Sequence, residues 1–64
     1  MDKPVIGDLI KTIYRNDYAV VTAVTKPTLG MKGFEWGTQH VYPSDGCRGF
    51  QPRKYIKEVV SAGR

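Results

Sequence analysis

Apolar positions in this chain recur every second residue in short runs, and turn-forming residues separate the runs. "VIGDLIKTIY", residues 5–14, is rich in β-branched and aromatic side chains. Alternation sends Ile6, Ile10 and Tyr14 one way and Leu9 and Ile13 the other, so both faces of this strand are apolar. "RND" at 15–17 reads as a polar turn, because Asn and Asp bond locally and tolerate left-handed backbone. "YAVVTAVT", 18–25, is the strongest strand signal. Val20, Val21 and Val24 stiffen it, and apolar groups on both faces suit a central strand. "KPTLGMKG", 26–33, holds one proline and two glycines and reads as a loop.

Alternation resumes in "FEWGTQHVY", 34–42, with Phe34 and Trp36 on one side. Gly37 marks a bulge or a close backbone approach. "PSDG", 43–46, is a hairpin signal, with proline at the first central position and Gly46 left-handed. "CRGF" follows as a short strand, "QPRKY" as a helical turn too short for an α-helix, "IKEVV" as a last strand and "SAGR", 61–64, as a frayed tail. The pattern predicts an all-β chain, residues 1–64 forming one small domain. Closing five short strands into a barrel buries one core and hides the sheet edges.

That expectation makes "GFQPRKYIKEVV" informative. It resembles the closing segment of Src-homology-3 domains, which runs glycine, aromatic, any residue, proline, two residues, tyrosine, aliphatic. Gly49, Phe50, Pro52, Tyr55 and Ile56 match in order and spacing. The resemblance implies a single five-stranded Src-homology-3-like barrel with a short 3-10 turn before the last strand. "PSDG" then stands where the family's distal hairpin lies, and 26–33 where its n-Src loop lies. Pro52 and Tyr55 match positions that line the family's peptide groove. The signalling members' Ala-Leu-Tyr-Asp-Tyr stretch and acidic loop are missing, however, so a groove for basic proline-rich peptides is not implied. The opening "GDLIK…YAVVTAV" looks more like the barrels of ribosome-associated and phage proteins. In style the chain is similar to small accessory proteins of bacteriophages, which dock on host proteins.

Composition narrows the function classes. Hydrophobic residues are 41% and charged residues 25% of the 64, as in folded domains. No apolar run approaches the roughly 18 residues of a membrane span. The N-terminus lacks a signal-peptide pattern, and the lone Cys47 permits no internal disulfide, so a reducing cytoplasm is expected. Residues 1–46 balance at five cations and five carboxylates. Residues 47–64 carry Arg48, Arg53, Lys54, Lys57 and Arg64 against Glu58 alone, which supplies the whole net charge of +4. This surplus is either a solubilising face or a footprint for an acidic protein or nucleic acid.

Catalytic chemistry has little to stand on. His40 and Cys47 can form a thiolate pair only across a tight turn and match no catalytic signature. The plainer expectations are a surface strand position for His40 and a small buried or half-buried place for Cys47. One Cys and one His cannot complete a zinc site within one chain. "GMKG" and "GCRG" lack the strand-to-helix setting of phosphate loops. No enzyme, cofactor or metal is expected.

Binding remains, in two forms. The seven aromatic residues exceed what so small a core can bury, so some are exposed as a protein-binding patch or a dimer seam. A surface of Trp36, Tyr55 and a neighbour such as Tyr14, with Arg48, Arg53, Lys54 and Lys57, would dock a protein partner. The alternative is weak, sequence-independent single-stranded DNA or RNA binding, with bases stacked on aromatics and cations along phosphates. Against that, Phe50 and Tyr55 are expected to be buried by the turn they flank. The chain is a monomer or a homodimer.

Overall fold

A computed structural model describes residues 3–26 and 35–61. Its elements are β1 (Leu9–Thr12), β2 (Ala19–Thr25), β3 (Gly37–Val41), β4 (Arg48–Pro52), a 3-10 turn η1 (Arg53–Tyr55) and β5 (Ile56–Val60). The strands form one antiparallel sheet in the order β4-β3-β2-β1-β5, with β4 and β5 at its edges. The all-β class and the 3-10 turn before the last strand are as expected. The loop at 26–33 lies, after Lys26, outside the described residues, as do Phe34 and the last three residues of the tail.

The first strand is shorter than its apolar run. Gly7 has φ of 98°, and the chain there makes a turn in place of a strand. Asp8 donates its N–H to the Val5 carbonyl, and its Oδ2 accepts the Val5 N–H, each at 3.0 Å. The turn is locked to β2 by Gly7 N–H to Val21 O and Val21 N–H to Asp8 O, both 2.9 Å. The Gly-Asp pair is thus the device that starts β1 at Leu9, and Asp8 is buried. At 43–46 the expected hairpin forms. Asp45 and Gly46 both donate N–H to the Tyr42 carbonyl, at 3.3 and 2.7 Å. Gly46 has φ of 75°, which a side chain would strain.

Directly paired residues project to one side of a sheet, so the register divides the chain into two faces. Ile10 pairs with Ala19 and Val59, Val21 with His40, Val24 with Thr38, and Thr12 with Ile56. These lie on the core face. The described core is Ile10, Ala19, Val21, Trp36, Tyr42 and Ile56, with Val24 and Val59 packed against it. Register shifts at Thr22 and Lys57 each insert one extra residue, which bends a strand and raises its twist. Gly37 does mark a close approach: a β-carbon there would lie 2.8 Å from Phe50 Cε2 and closer still to Cζ. Glycine lets the Phe50 ring lie against β3.

The 13–18 turn is tied to the 43–46 hairpin. The Arg15 guanidinium stacks 3.9 Å above the Tyr42 ring and pairs with Asp17 at 2.6 Å and Asp45 at 3.0 Å. Ser44 donates its hydroxyl to Asp17 Oδ2 at 2.9 Å. The arginine holds both carboxyls below the usual carboxylate range, after the backbone N–H of Cys47 in the case of Asp45.

His40 is not at the surface. It is 3% exposed, on the core face, edge-on to Tyr42 with ring centroids 5.4 Å apart and its Nδ1 3.4 Å from Thr38 Oγ1. Burial pushes its pKa below the ordinary 6.5. The unfolded chain then binds more protons than the native one as pH falls through this range, so stability is complete above about 6.5 and declines below it. The depressed Asp17 and Asp45 add a second decline in the carboxylate range, with the same sign. Urea midpoints measured from about pH 8 to about pH 3 are expected to start falling near pH 6.5. A flat profile down to about pH 5 would place His40 outside the core.

Candidate binding surface

Short-range backbone bonds place the side chains around η1. Pro52 is extended, with φ of −69° and ψ of 161°, and as a proline it cannot donate to a ladder. The chain leaves β4 there and makes one 3-10 turn, closed by the Ile56 N–H on the Arg53 carbonyl. Arg53 N–H donates to the Trp36 carbonyl at 2.8 Å, and the Tyr55 carbonyl accepts the Ile13 N–H at 3.0 Å. The turn is therefore pinned between the start of β3 and the end of β1.

This pinning brings two tyrosines together. The rings of Tyr14 and Tyr55 lie 5.6 Å apart with 51° between their planes, and Lys54 Nζ stands 5.1 Å from the Tyr55 ring centre. Tyr55 is half-buried, whereas Tyr14 is 60% and Ile13 57% exposed. The result is a partly exposed tyrosine pair with an ammonium over one ring. Lys57 follows as the extra, exposed residue at the β5 register shift.

The other expected site residues are dispersed. Trp36 is 6% exposed and is the largest side chain of the core cluster, so it is not an open platform. Arg53 Nε lies 3.7 Å from Glu35 Oε2 and has no hydrogen-bond partner among the described residues, so part of its charge is spent on β3's approach. Arg48 is exposed at the far end of β4, about 13 Å along the strand from Pro52 at about 3.3 Å per residue. The cations close in sequence thus separate: Arg48 stands at the far end of β4, Arg53 beside Glu35, Lys54 over the Tyr55 ring, and Lys57 exposed on β5. Phe50, expected to be buried by the turn, is 39% exposed on the sheet's outer face. Cys47 is exposed in the hairpin rather than buried. Ile13 was not expected in a site; its signal was the alternation that set it opposite Ile10.

Among the described residues no group of three His, Cys, Asp or Glu side chains could hold a metal ion, and no helix is long and apolar enough to cross a membrane. Comparison of the chain with protein-family models, curated proteins and solved structures finds no match.

Proposed function

We propose that the chain is a non-catalytic binding module of Src-homology-3-like barrel form, which docks an acidic protein segment on the Tyr14–Tyr55 surface. The barrel reading is supported by the five-stranded antiparallel order with two register shifts, which bend strands, by the hairpin at 43–46 and by η1 before the last strand, while the sheet itself stays open between β4 and β5. The observation that carries the binding reading is the Tyr14–Tyr55 ring pair, with Tyr14 exposed and Lys54 over the Tyr55 ring. Exposed tyrosines supply contact area at low entropic cost, and flanking lysines select for acidic residues. The phage-like style of the sequence fits a small accessory protein acting on a host protein.

The test is a titration of the isotope-labelled chain with a tyrosine-free acidic peptide and, separately, with a mixed-sequence oligonucleotide. Amide shifts from the peptide are expected at Ile13, Tyr14, Lys54, Tyr55 and Lys57. Reversing both charges, Lys54→Glu with Lys57→Glu, is expected to weaken binding by roughly tenfold or about 1.4 kcal/mol, with the melting temperature unchanged. Shifts that avoid these residues would sink the proposal. Tighter binding to the oligonucleotide, falling linearly with log salt, would move the assignment to single-stranded nucleic acid.

A further inference from the structure

The tyrosine pair is assembled from two segments that are held in different ways. Tyr55 belongs to η1, which backbone bonds pin at both ends, to Trp36 and to Ile13. Tyr14 belongs to the 13–18 turn. The β1–β2 ladder ends at the Ile10–Ala19 pair, so this turn projects beyond the two strands it joins. Tyr14 N–H donates to Thr12 Oγ1 at 3.3 Å, a long bond and therefore a weak tether. Past Tyr14 the turn meets the rest of the chain through side chains. Tyr18 donates its hydroxyl to Glu58 Oε2 at 2.9 Å, and Arg15 and Asp17 make the remaining links.

Arg15 uses its whole guanidinium. Nε and Nη2 donate to the two oxygens of Asp17 at 2.8 and 2.6 Å, and Nη1 donates to Asp45 Oδ2 at 3.0 Å. The same group lies 3.9 Å from the Tyr42 ring centre. Asp17 is inside the turn, whereas Tyr42 and Asp45 stand on the opposite hairpin. Exposed ion pairs taken singly contribute little. A bidentate fork resting on an aromatic face fixes position as well as charge. Two carboxylates more than balance one guanidinium, so Arg15 adds no attraction for an acidic partner. What it adds is placement of the residue beside it.

We infer that Arg15 is a positioning residue for docking: by tying the turn to the 43–46 hairpin, it holds the Tyr14 ring against Tyr55 before a partner arrives. The consequence for affinity rests on the docking reading above, but the placement of the ring does not. A ring already in place spares the complex the cost of ordering it, whereas a loose Tyr14 has to be immobilised on binding.

Arg15→Lys keeps the charge and loses the fork, so it separates placement from attraction. In the free variant, nuclear Overhauser contacts between the Tyr14 and Tyr55 rings are expected to weaken. Amide order parameters across 14–17 are expected to fall from about 0.85 toward about 0.6. The dissociation constant for the tyrosine-free acidic peptide is expected to rise about three- to tenfold, with the salt dependence of the wild type, because no charge has changed. Asp45→Asn removes one carboxylate from the opposite hairpin and is expected to loosen the ring contact in the same way. Ring contact and order kept in Arg15→Lys overturn the inference, as does an affinity unchanged when the contact is lost. If the wild type binds no peptide, the docking reading falls, and the ring contact still decides whether Arg15 places Tyr14. Should Arg15→Lys fail to fold, Asp45→Asn, which leaves Arg15 on Tyr42 and Asp17, decides by the same contact.

Discussion

Replacing Trp36 by alanine is expected to unfold the protein at room temperature. The described core holds six hydrophobic side chains, and Trp36 is the largest of them. Truncating a buried tryptophan removes its transfer free energy and leaves a cavity, at a cost of about 3–5 kcal/mol. A 64-residue domain has a total stability of roughly 3–10 kcal/mol at about 0.05–0.15 kcal/mol per residue. The loss therefore ranges from about a third to the whole of what exists, and the small core puts this chain toward the marginal end. The Trp36 carbonyl also accepts the Arg53 N–H at 2.8 Å, a backbone bond that Trp36→Ala leaves in place. Trp36→Phe keeps an aromatic ring and the same backbone bond, and is expected to remain folded with a cost nearer about 1–2 kcal/mol. Thermal and urea denaturation followed by circular dichroism check both variants. A Trp36→Ala chain melting within a few degrees of the wild type would remove Trp36 from the core. The pair of variants also protects the binding test, because Trp36→Phe should bind normally while Trp36→Ala loses binding only by losing the fold.

How far the residues disclosed this structure depends on whether the signal was local. β2 was legible from Val20, Val21 and Val24, whose stiffness and burial agree with a central position. The 43–46 hairpin was legible because proline, aspartate and glycine encode its backbone angles directly. The start of β1 was not legible from its apolar run, since Val5 and Ile6 look like strand residues. What decides there is Asp8, whose carboxylate turns the chain back on Val5 once Gly7 supplies positive φ. The site was harder. A row of cations in sequence says nothing of direction, and consecutive residues on a strand and a 3-10 turn point to different sides. Hence Arg48, Arg53 and Lys54 separate. Trp36 and His40 exchange their expected surroundings for a similar reason. Alternation places residues on two faces but does not say which is covered, and here β3 turns His40 inward while the tryptophan fills the end of the core.

Tyr42 shows how much of the stability can rest on one residue that joins both hairpins, and its replacement by alanine carries the second large expected effect. The side chain is 6% exposed. Its hydroxyl lies 3.2 Å from Thr12 Oγ1 in a buried contact between β1 and the end of β3. Its ring supports the Arg15 guanidinium on one side and meets the His40 ring edge on another. Tyr42→Phe deletes only the hydroxyl. Thr12 Oγ1 still accepts the Tyr14 N–H at 3.3 Å, so the cost is expected near about 1 kcal/mol. Tyr42→Ala removes the ring as well, at about 3–5 kcal/mol, and Arg15 loses the surface on which it lies. The carboxylates of Asp17 and Asp45 still hold the arginine, but they are themselves surface groups and contribute little once the ring is gone. Amide hydrogen exchange distinguishes a lost core residue from a loosened clamp. In Tyr42→Phe, protection at 13–17 and 43–46 should stay near wild type. In Tyr42→Ala, both segments should lose protection together with β1 and β3, because the residue that links them also fills the core. An equal loss of protection in the two variants would mean that the hydroxyl, and not the ring, couples the hairpins, and protection kept in both would mean that Tyr42 does not couple them.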